Sequence, residues 1–292
     1  MYVPKFNYHK PDSLKDACKI LNENKNAALL AGGTDILVEL KKGLLNYDDL
    51  ISIKNLKELK ILEEDKKNII IGSAVTHSEI KNSTLIKNKL PVLSKAAASI
   101  GTEQIRNTGT IGGNICTGAS CCDMAPALLV YGALVEIFSI SEKKIIPITE
   151  FFIDHHKTFL KKGEILTKII VPIPTKNMGI SFFKFGLRDA AAISVASVGV
   201  MLNFEKGKCT DSKIAIGAVS PAPKLSNNGS GALIGLNKKE ISNVKTLQII
   251  GEAVANDVLP INDIRGSADY RRNVMKILTQ RAILEAVNQI KN

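Results

Sequence analysis

The sequence predicts an α+β protein with two domains, on three observations. Its 292 residues are enough for two hydrophobic cores. Pro172 and Pro174 interrupt an apolar segment, and we place the domain boundary near residue 176. Before this boundary short apolar strands alternate with helices. After it strand-like runs come first and helical patterns follow, which is typical of helices packed on one face of an antiparallel sheet.

Apolar periodicity places the elements of the first domain. Strands are predicted at 27–31, 50–53, 69–71, 134–140 and 165–171. Helices are predicted at 14–24, 36–43, from 78, at 91–98 and at 124–131, the last with Asp123 as its N-cap. The stretch 101–123 is rich in Gly, Thr, Asn and Ser and lacks a helical pattern. A loop of this length is expected to be functional.

The last third of the chain predicts three strands and two helices. The strand-like runs are 182–185, 193–204 and 213–219, and the helical patterns are 246–258 and 268–290. The second helix opens with three polar or charged residues that we expect on the surface, in interdomain ion pairs or in subunit contacts: Tyr270, Arg271 and Arg272.

Composition excludes several classes of protein. Hydrophobic residues make up 45% of the chain and charged residues 23%, which excludes a disordered or low-complexity chain. The net charge is +11, but only six of the 39 basic residues are Arg, Trp is absent and aromatics are 5%. Nucleic-acid recognition relies on Arg and on aromatic stacking, so we expect no nucleic-acid partner.

The cysteines and the N-terminus indicate a cellular location. The five cysteines are odd in number and lack repeated CxxC spacing, which favours neither a disulfide framework nor a zinc ribbon. The sequence has no signal-peptide pattern and no apolar run of about 18 residues, the length that a membrane helix needs. We expect a soluble cytoplasmic protein with no membrane contact.

The first glycine segment, residues 29–36, reads LLAGGTDI. Gly32 and Gly33 permit positive φ and close backbone approach, so that consecutive N–H groups can converge on an anion. The start of the next helix adds a favourable dipole. Alone, this motif is equally a structural strand-to-helix turn.

The second glycine segment, residues 108–120, reads TGTIGGNICTGAS and is followed by Asp123 and a helix. Its second pair of glycines lies among hydroxyl and amide side chains suited to phosphate or ribityl oxygens. Two such segments could hold one long cofactor between them. Neither matches GxGxxG or GxxxxGK[ST], so a Rossmann or P-loop interpretation has no support.

The chain resembles the FAD-binding (medium) subunits of the molybdenum hydroxylase family, which includes xanthine dehydrogenases and carbon monoxide dehydrogenase. The segments that carry the resemblance are LLAGGTDILVELKKG, IGSAVTHSEI, AASIGTEQIRNTGTIGGNICTGASCCDMAPALL, GEILTKIIVPIP, FFKFGLRDAAAISVASVGVML and SADYRRNVMKILTQRA. The paired AGGTD and TIGGN motifs are the specific part. TGA after GGNIC, together with FFKFGLRDAAAIS, is most similar to bacterial xanthine dehydrogenase FAD-binding subunits.

The resemblance implies an FAD-binding domain of the vanillyl-alcohol-oxidase (PCMH) type over 1–176, with two α/β subdomains at about 1–55 and 56–176. A C-terminal α+β domain of the CO dehydrogenase flavoprotein type follows over 177–292. In the family the first glycine loop holds the FAD diphosphate, and the second surrounds the diphosphate, ribityl chain and flavin edge. Carried over, the cofactor-binding residues are Leu29, Leu30, Ala31, Gly32, Gly33, Thr34, Asp35, Ile36, Ile100, Thr110, Gly113, Asn114, Cys116, Thr117, Asp123, Ile165, Leu166 and Lys184.

The resemblance also implies a role in a complex. A large molybdopterin subunit would oxidise the substrate, and a small subunit would pass electrons from 2Fe–2S clusters to FAD on this chain. FAD would then pass them to NAD or another acceptor. Xanthine or hypoxanthine is the expected substrate, with other heterocycles open, and the family suggests a dimer of three-subunit units. No side chain here is expected to be catalytic or to bind a metal.

Two stretches depart from the family. Many relatives have Ser-Pro-x-x-Asp where residues 119–123 read Ala-Ser-Cys-Cys-Asp, so the proline is missing and the Asp is retained. Relatives often have Gly-Pro-Gly-Lys where residues 154–157 read Asp-His-His-Lys. The cysteine-bearing insertion with which one benzoyl-CoA reductase branch binds an iron–sulfur cluster has no counterpart.

The remaining candidates have structural explanations. His155 and His156 are adjacent, so their rings are expected to point apart, and no third metal ligand is evident. The pair Cys121 and Cys122 is expected to be part of a small-residue loop. The resemblance places Cys116 beside the flavin as packing, not as a nucleophile. His77 is a capping or packing residue with no assigned function.

Three other functions stay open at this point. A non-catalytic assembly subunit could keep this fold without the cofactor, and only the altered 119–123 stretch supports it. A stand-alone flavin reductase, similar to the enolpyruvyl-UDP-glucosamine reductases, would need an acid of its own. Nucleic-acid binding is the remaining alternative, and it would weaken as salt is raised.

Overall fold

The computed structural model describes residues 4–290, in which a run of consecutive α-helices is followed by a long run of strands. The first part contains β1 (Asn7–His9), α1 (Leu14–Glu23), β2 (Ala27–Leu30), α2 (Ile36–Lys41), β3 (Asp49–Ser52), β4 (Leu62–Glu64), β5 (Asn68–Gly72), α3 (His77–Asn82), α4 (Thr84–Lys89), α5 (Pro91–Ala98), α6 (Glu103–Thr108), α7 (Ile111–Cys116) and α8 (Met124–Tyr131). The second part contains β6 (Leu134–Phe138), β7 (Lys143–Pro147), β8 (Phe152–Asp154), β9 (Lys157–Thr158), β10 (Ile165–Pro172), β11 (Met178–Phe185), β12 (Ala196–Glu205), β13 (Lys208–Gly217), β14 (Lys224–Leu225), α9 (Asn227–Gly231), α10 (Lys238–Ile241), α11 (Val244–Asp257) and α12 (Ala268–Gln289).

Two sheets form the N-terminal half. The smaller is three-stranded and parallel, in the order β1-β3-β2. Helix α1 buries Ala17, Cys18 and Leu21 in the core of this sheet, and its N-cap hydroxyl, Ser13 Oγ, accepts from the Asp16 N–H at 3.1 Å. The larger is five-stranded and antiparallel, in the order β4-β5-β10-β6-β7. The glycine segments lie between these two sheets.

The C-terminal sheet is four-stranded and antiparallel, in the order β11-β12-β13-β14. Helices α11 and α12 cover one face, as the strand-then-helix pattern predicts. Helix α8 covers the other face and approaches so closely that a Cβ on Gly199 would lie 2.6 Å from the Pro126 carbonyl oxygen. The α+β fold class is confirmed, and the sheet is a layer between helices of both halves.

The expectation of a loop without helices over 101–123 is wrong. This stretch contains α6 and α7, which begin where the Thr102 and Thr110 hydroxyls accept from the backbone N–H groups of Ile105 and Gly113. Gly112 hides α7 from a propensity argument, since glycine is a poor helix former. It is required because a Cβ there would lie 2.5 Å from the Ser73 Cβ.

Other expectations need correction as well. Asp123 precedes α8 but makes no side-chain cap, because its carboxylate bonds to Lys184 and Ser194. Arg271 is not a surface residue: it is 3% exposed and donates to the Ala218 carbonyl oxygen and to Asp263. Apolar periodicity also misses several short elements, which are β1, β4, β7, β8, β9, β14, α4, α9 and α10.

No helix of residues 4–290 is long and apolar enough to cross a membrane. No group of three or more His, Cys, Asp or Glu side chains in the same range could hold a metal ion. All five cysteines are free thiols.

Candidate cofactor site

Both glycine segments line one cavity of about 630 Å³ between the two N-terminal sheets. Most residues predicted to bind the cofactor are on its wall: Leu29, Ala31, Gly32, Gly33, Thr34, Asp35, Ile36, Ile100, Thr110, Gly113, Asn114, Cys116, Thr117, Ile165 and Leu166. Three are not on its wall: Leu30, Asp123 and Lys184. The sequence motifs therefore converge in space, although about 70 residues separate them along the chain.

The first glycine segment presents backbone donors. It runs from the end of β2 to the start of α2, and Gly33 has φ +74°. The N–H groups of Gly32, Gly33, Thr34 and Asp35 donate to no residue within 4–290. Consecutive free N–H groups in such a turn form an anion-binding concavity. Because no Lys or Arg among residues 4–290 lines the cavity, these N–H groups are its main source of positive potential in the described part of the chain.

The second glycine segment presents side chains instead. Most of its backbone N–H groups are bonded within the protein: Ile111 donates to Val75, Gly112 to Ser73, Asn114 to Thr110 and Thr117 to Gly113. What faces the cavity is hydroxyl, amide and thiol chemistry from Thr110, Asn114, Cys116 and Thr117. A Cβ on Gly113 would meet only the Thr110 Oγ1, at 3.0 Å, so this glycine leaves room in the cavity.

The two segments touch each other. A Cβ on Gly32 would lie 2.3 Å from the Thr108 carbonyl oxygen, so only glycine fits there. Farther along, the Thr117 hydroxyl has two acceptors within reach of its one proton, the Gly113 carbonyl oxygen at 2.9 Å and Asp35 Oδ2 at 3.2 Å. The Asp35 contact and the close approach fix the segments as one wall of the cavity.

Cys116 belongs to the packed part of that wall. Burial raises the pKa of its thiol to about 12. The group is therefore a neutral thiol at physiological pH, and a neutral thiol is a poor nucleophile.

Asp123 and Lys184 form a buried ion pair beyond the cavity. The Lys184 Nζ lies 2.6 Å from Asp123 Oδ2 and also donates to the Ser99 carbonyl oxygen at 2.9 Å. Ser194 donates to the other carboxylate oxygen. Burial raises the pKa of Asp123, and the two donors offset part of that effect. The pair connects the start of α8 to the C-terminal sheet.

A second cavity of about 600 Å³ lies beside this ion pair. The segment 100–106 separates the cavities, since Ile100 and Ile105 line the first, and Gly101 and Arg106 line the second. Three cations and two carboxylates are on the wall of the second cavity: Arg106, Lys184, Arg188, Glu103 and Asp189.

Sequence reasoning missed part of the first cavity. Ser73 and His77, at the end of β5 and the start of α3, line it, as do Leu44, Leu45 and Tyr47 from the stretch after α2. A polar stretch directly after a buried strand is a signal that could have found Ser73 and His77. The aliphatic and aromatic residues after α2 carry no such signal.

His156 also lines the first cavity. Its Nδ1 donates to the Thr117 carbonyl oxygen at 2.8 Å, and its backbone N–H donates to Gly118. The expectation that the His155 and His156 rings point apart is wrong: their centroids are 4.2 Å apart, because His156 adopts φ +54°. His156 holds the β8–β9 hairpin against the second glycine segment.

Comparison with known families and proteins agrees with this site. Residues 4–174 match the family "FAD binding domain in molybdopterin dehydrogenase", and residues 181–286 match the "CO dehydrogenase flavoprotein C-terminal domain". The chain therefore belongs to the family of FAD-binding subunits of molybdopterin dehydrogenases. FAD as its cofactor, the family and the fold are confirmed.

Three relatives illustrate the range of the family. The chain is 35% identical to the xanthine dehydrogenase FAD-binding subunit of Escherichia coli O157:H7, over 96% of this chain and 95% of that one. It is 30% identical to the nicotine 6-hydroxylase medium subunit of Paenarthrobacter nicotinovorans, over 98% of this chain and 99% of that one. Carbon monoxide dehydrogenase from Hydrogenophaga pseudoflava has a similar structure, with TM-score 0.95, 26% identity and full coverage of both chains.

The first cavity fits FAD on two observations. Four backbone N–H groups of the first glycine segment have no partner within 4–290, and a diphosphate supplies acceptors. The second segment, at Gly113, leaves space that a side chain would fill.

Proposed function

We propose that the first cavity holds FAD and that this chain is the electron-transfer subunit of a multisubunit molybdenum hydroxylase. The observation that carries the proposal is the convergence of both glycine segments on one cavity, with free backbone donors on one side and hydroxyl and amide groups on the other. The predicted residues would hold the cofactor in two groups: N–H groups at 32–35 for its diphosphate, and Thr110, Asn114 and Thr117 for its hydroxyl-bearing part.

Bound FAD supplies the ability to accept electrons one at a time and to release them as a pair. The chain's own residues bind, orient and shield. Ile100, Ile165 and Leu166 provide apolar walls, and Cys116 packs as a neutral thiol. Asp123 and Lys184 fix the C-terminal sheet beside the cavity, since Lys184 is bonded to Ser99, next to Ile100. The proposed site thus needs no catalytic side chain.

The proposed partners are a large molybdopterin subunit and a small subunit with 2Fe–2S clusters. Support comes from relatives that are named as medium or FAD-binding subunits, which this chain matches over nearly their whole length. The proposed location is the cytoplasm, in line with five unpaired cysteines. Co-expression of this chain with a large molybdopterin subunit and a small 2Fe–2S subunit, followed by gel filtration, tests the assembly. A chain that remains monomeric beside folded partners would contradict it.

The proposed substrate of the complex is xanthine or hypoxanthine. The relative named for xanthine dehydrogenase is 35% identical, against 30% and 28% for relatives named for nicotine and carbon monoxide oxidation. Turnover of the purified complex with xanthine, nicotine and carbon monoxide, followed with an artificial electron acceptor, separates these. Oxidation of nicotine or carbon monoxide without xanthine would overturn the substrate assignment.

The proposed acceptor is NAD or another anionic dinucleotide, entering at the second cavity. On its wall Arg106 is paired with Glu103 and Lys184 with Asp123, so Arg188 is the cation through which we expect this cavity to attract an anion. The test is reduction of the bound flavin by NADH. Arg188→Ala should raise the NADH concentration needed for half-maximal reduction and leave FAD content unchanged. Equal NADH dependence in both proteins would contradict this entry point.

The binding of FAD itself is tested by purification and reconstitution. The purified chain should be yellow, or become so with FAD, at one FAD per chain. A folded protein that stays colourless after incubation with FAD would point to an assembly subunit without cofactor.

A further inference from the structure

Two polar side chains on the cavity wall have no hydrogen-bond partner in the described part of the chain. They are Ser73 Oγ and His77 Nδ1, and both residues are almost fully buried, at 3% and 2% exposure. Buried polar groups in folded proteins are nearly always hydrogen-bonded, because an unpaired one has lost its hydrogen bonds to water without replacement. Their joint presence at one cavity therefore needs an explanation.

Both residues belong to one short stretch, which we call the third segment, residues 73–77. It joins β5 to α3 and lies against the second glycine segment. The Gly112 N–H donates to the Ser73 carbonyl oxygen at 2.9 Å, and the His77 N–H donates to the Gly109 carbonyl oxygen at 3.1 Å. The backbone of the third segment is thus satisfied while its two side chains are not.

His77 lies close to the point where the glycine segments meet. A Cβ on Gly109 would lie 3.4 Å from both the His77 Cδ2 and the Thr34 Oγ1. The first glycine segment comes closest to the second at Thr108, the residue before Gly109. His77 therefore lies beside the junction at which a cofactor held by both segments must pass.

The charge of His77 fits a neutral donor. Burial, followed by the Arg106 guanidinium, lowers the pKa of His77 to about 4, so its ring is uncharged near neutral pH. A neutral imidazole carries one proton. Nδ1 has no acceptor beside it within 4–290, so a proton on Nδ1 would leave a buried N–H unpaired. We therefore place the ring proton on Nε2.

We infer that the third segment is a further cofactor-binding element, in which the Ser73 hydroxyl and the His77 imidazole donate hydrogen bonds to oxygen atoms of the bound FAD. A serine hydroxyl needs rotation about one bond to face a ligand. In His77, Nε2 would be the ring nitrogen that faces the ligand, with Nδ1 turned away from it. The inference rests on the proposed FAD site: the ligand would give the Ser73 hydroxyl the partner that it lacks within 4–290, and it would accept from the Nε2–H of His77.

The test compares FAD affinity with stability of the FAD-free protein. Ser73→Ala and His77→Leu should each raise the dissociation constant for FAD about five-fold, the effect of one neutral hydrogen bond. The melting temperature of the FAD-free protein should stay unchanged or rise, because each variant removes an unpaired buried polar atom. His77→Gln retains an N–H donor and should bind FAD within about two-fold of the original chain.

The chain offers matched controls away from the cavity. Ser197 Oγ and Thr279 Oγ1 are also buried and unpaired within 4–290, in the C-terminal half. Ser197→Ala and Thr279→Val should leave FAD affinity unchanged. Unchanged FAD affinity in Ser73→Ala and His77→Leu would overturn the inference while leaving the FAD site intact. Failure of the original chain to bind FAD would overturn the proposed function instead.

Discussion

Both glycine segments contain a Gly-Gly pair, but the two pairs have different roles in the fold. In the first, Gly33 adopts a positive φ and four N–H groups remain free of protein partners within 4–290. In the second, most N–H groups donate hydrogen bonds within α7 or to neighbouring backbone such as the Ser73 carbonyl oxygen. Side chains of this segment face the cavity instead. A pair of glycines thus serves either to expose the backbone or to let it pack closely, and the surrounding hydrogen bonds decide which.

The individual glycines differ in the same way. Gly32 and Gly112 are required by close backbone packing, against Thr108 and Ser73. Gly113 has open space toward the cavity. Substitutions at these positions should therefore separate damage to the fold from damage to the cofactor site.

The largest effect is expected at Gly32. A side chain there would lie 2.3 Å from the Thr108 carbonyl oxygen, so Gly32→Val must push the two segments apart. Overpacking of this kind costs about 1–3 kcal/mol or more. We expect a lower unfolding midpoint in urea and no FAD retention. Gly231→Ala, at a glycine with open surroundings, is the control and should change neither quantity.

Gly113→Leu should weaken FAD binding strongly with a smaller loss of stability than Gly32→Val, because its Cβ would meet only the Thr110 Oγ1, at 3.0 Å. The new side chain would occupy the cavity, and leucine is a better helix former than glycine within α7. We expect FAD affinity to fall by about a hundred-fold or more, equivalent to about 2.7 kcal/mol. Fluorescence titration and urea unfolding measure the two properties. Equal losses of both in Gly32→Val and Gly113→Leu would contradict the distinction between these glycines.

His77 makes stability depend on pH at the junction of the segments. Its pKa is about 4 in the folded chain and 6.5 when exposed, so the unfolded chain takes up this proton first as the pH falls. Stability that is complete above pH 6.5 is therefore lost between pH 6.5 and about 4, by about 3 kcal/mol. In His77→Gln the free energy of unfolding should fall less over this range. Identical pH profiles would contradict a buried neutral His77.

The smallest effect is expected at the bridge between the segments. Thr117→Val removes the hydroxyl that can donate to Asp35, a hydrogen bond worth about 0.5–1.5 kcal/mol. FAD affinity should fall about two- to ten-fold, as measured by titration. Thr117→Ser keeps the hydroxyl and should match the original chain. A Val variant with unchanged affinity would show that the segments hold their positions without this bond.

Much of this site is predictable from local sequence. The glycine pairs and the strand predicted at 165–171 are local patterns, and they place most of the cavity wall. Ser73, His77 and His156 are different, because tertiary pairing of β5 with β10 and of the β8–β9 hairpin with residue 118 brings them to the cavity. The helices at 103–116 depend on threonine caps and packing, which override the low propensity of their glycines.

Residues beyond the cavity show the same limit. Asp123 looks like an ordinary N-cap in the sequence, but a partner 61 residues away, Lys184, takes its carboxylate. Arg271 reads as a surface residue, yet it is buried against Ala218 and Asp263. The division of the chain near residue 176 stays a prediction.

The most direct measurement is titration of the FAD-free chain with FAD, followed by flavin fluorescence and repeated on Gly113→Leu. The account predicts saturation at one FAD per chain for the original sequence, and no saturable binding by the folded variant. A folded original chain that takes up no FAD, or a Gly113→Leu variant that binds it equally well, would contradict the claim that both glycine segments hold the cofactor in this cavity.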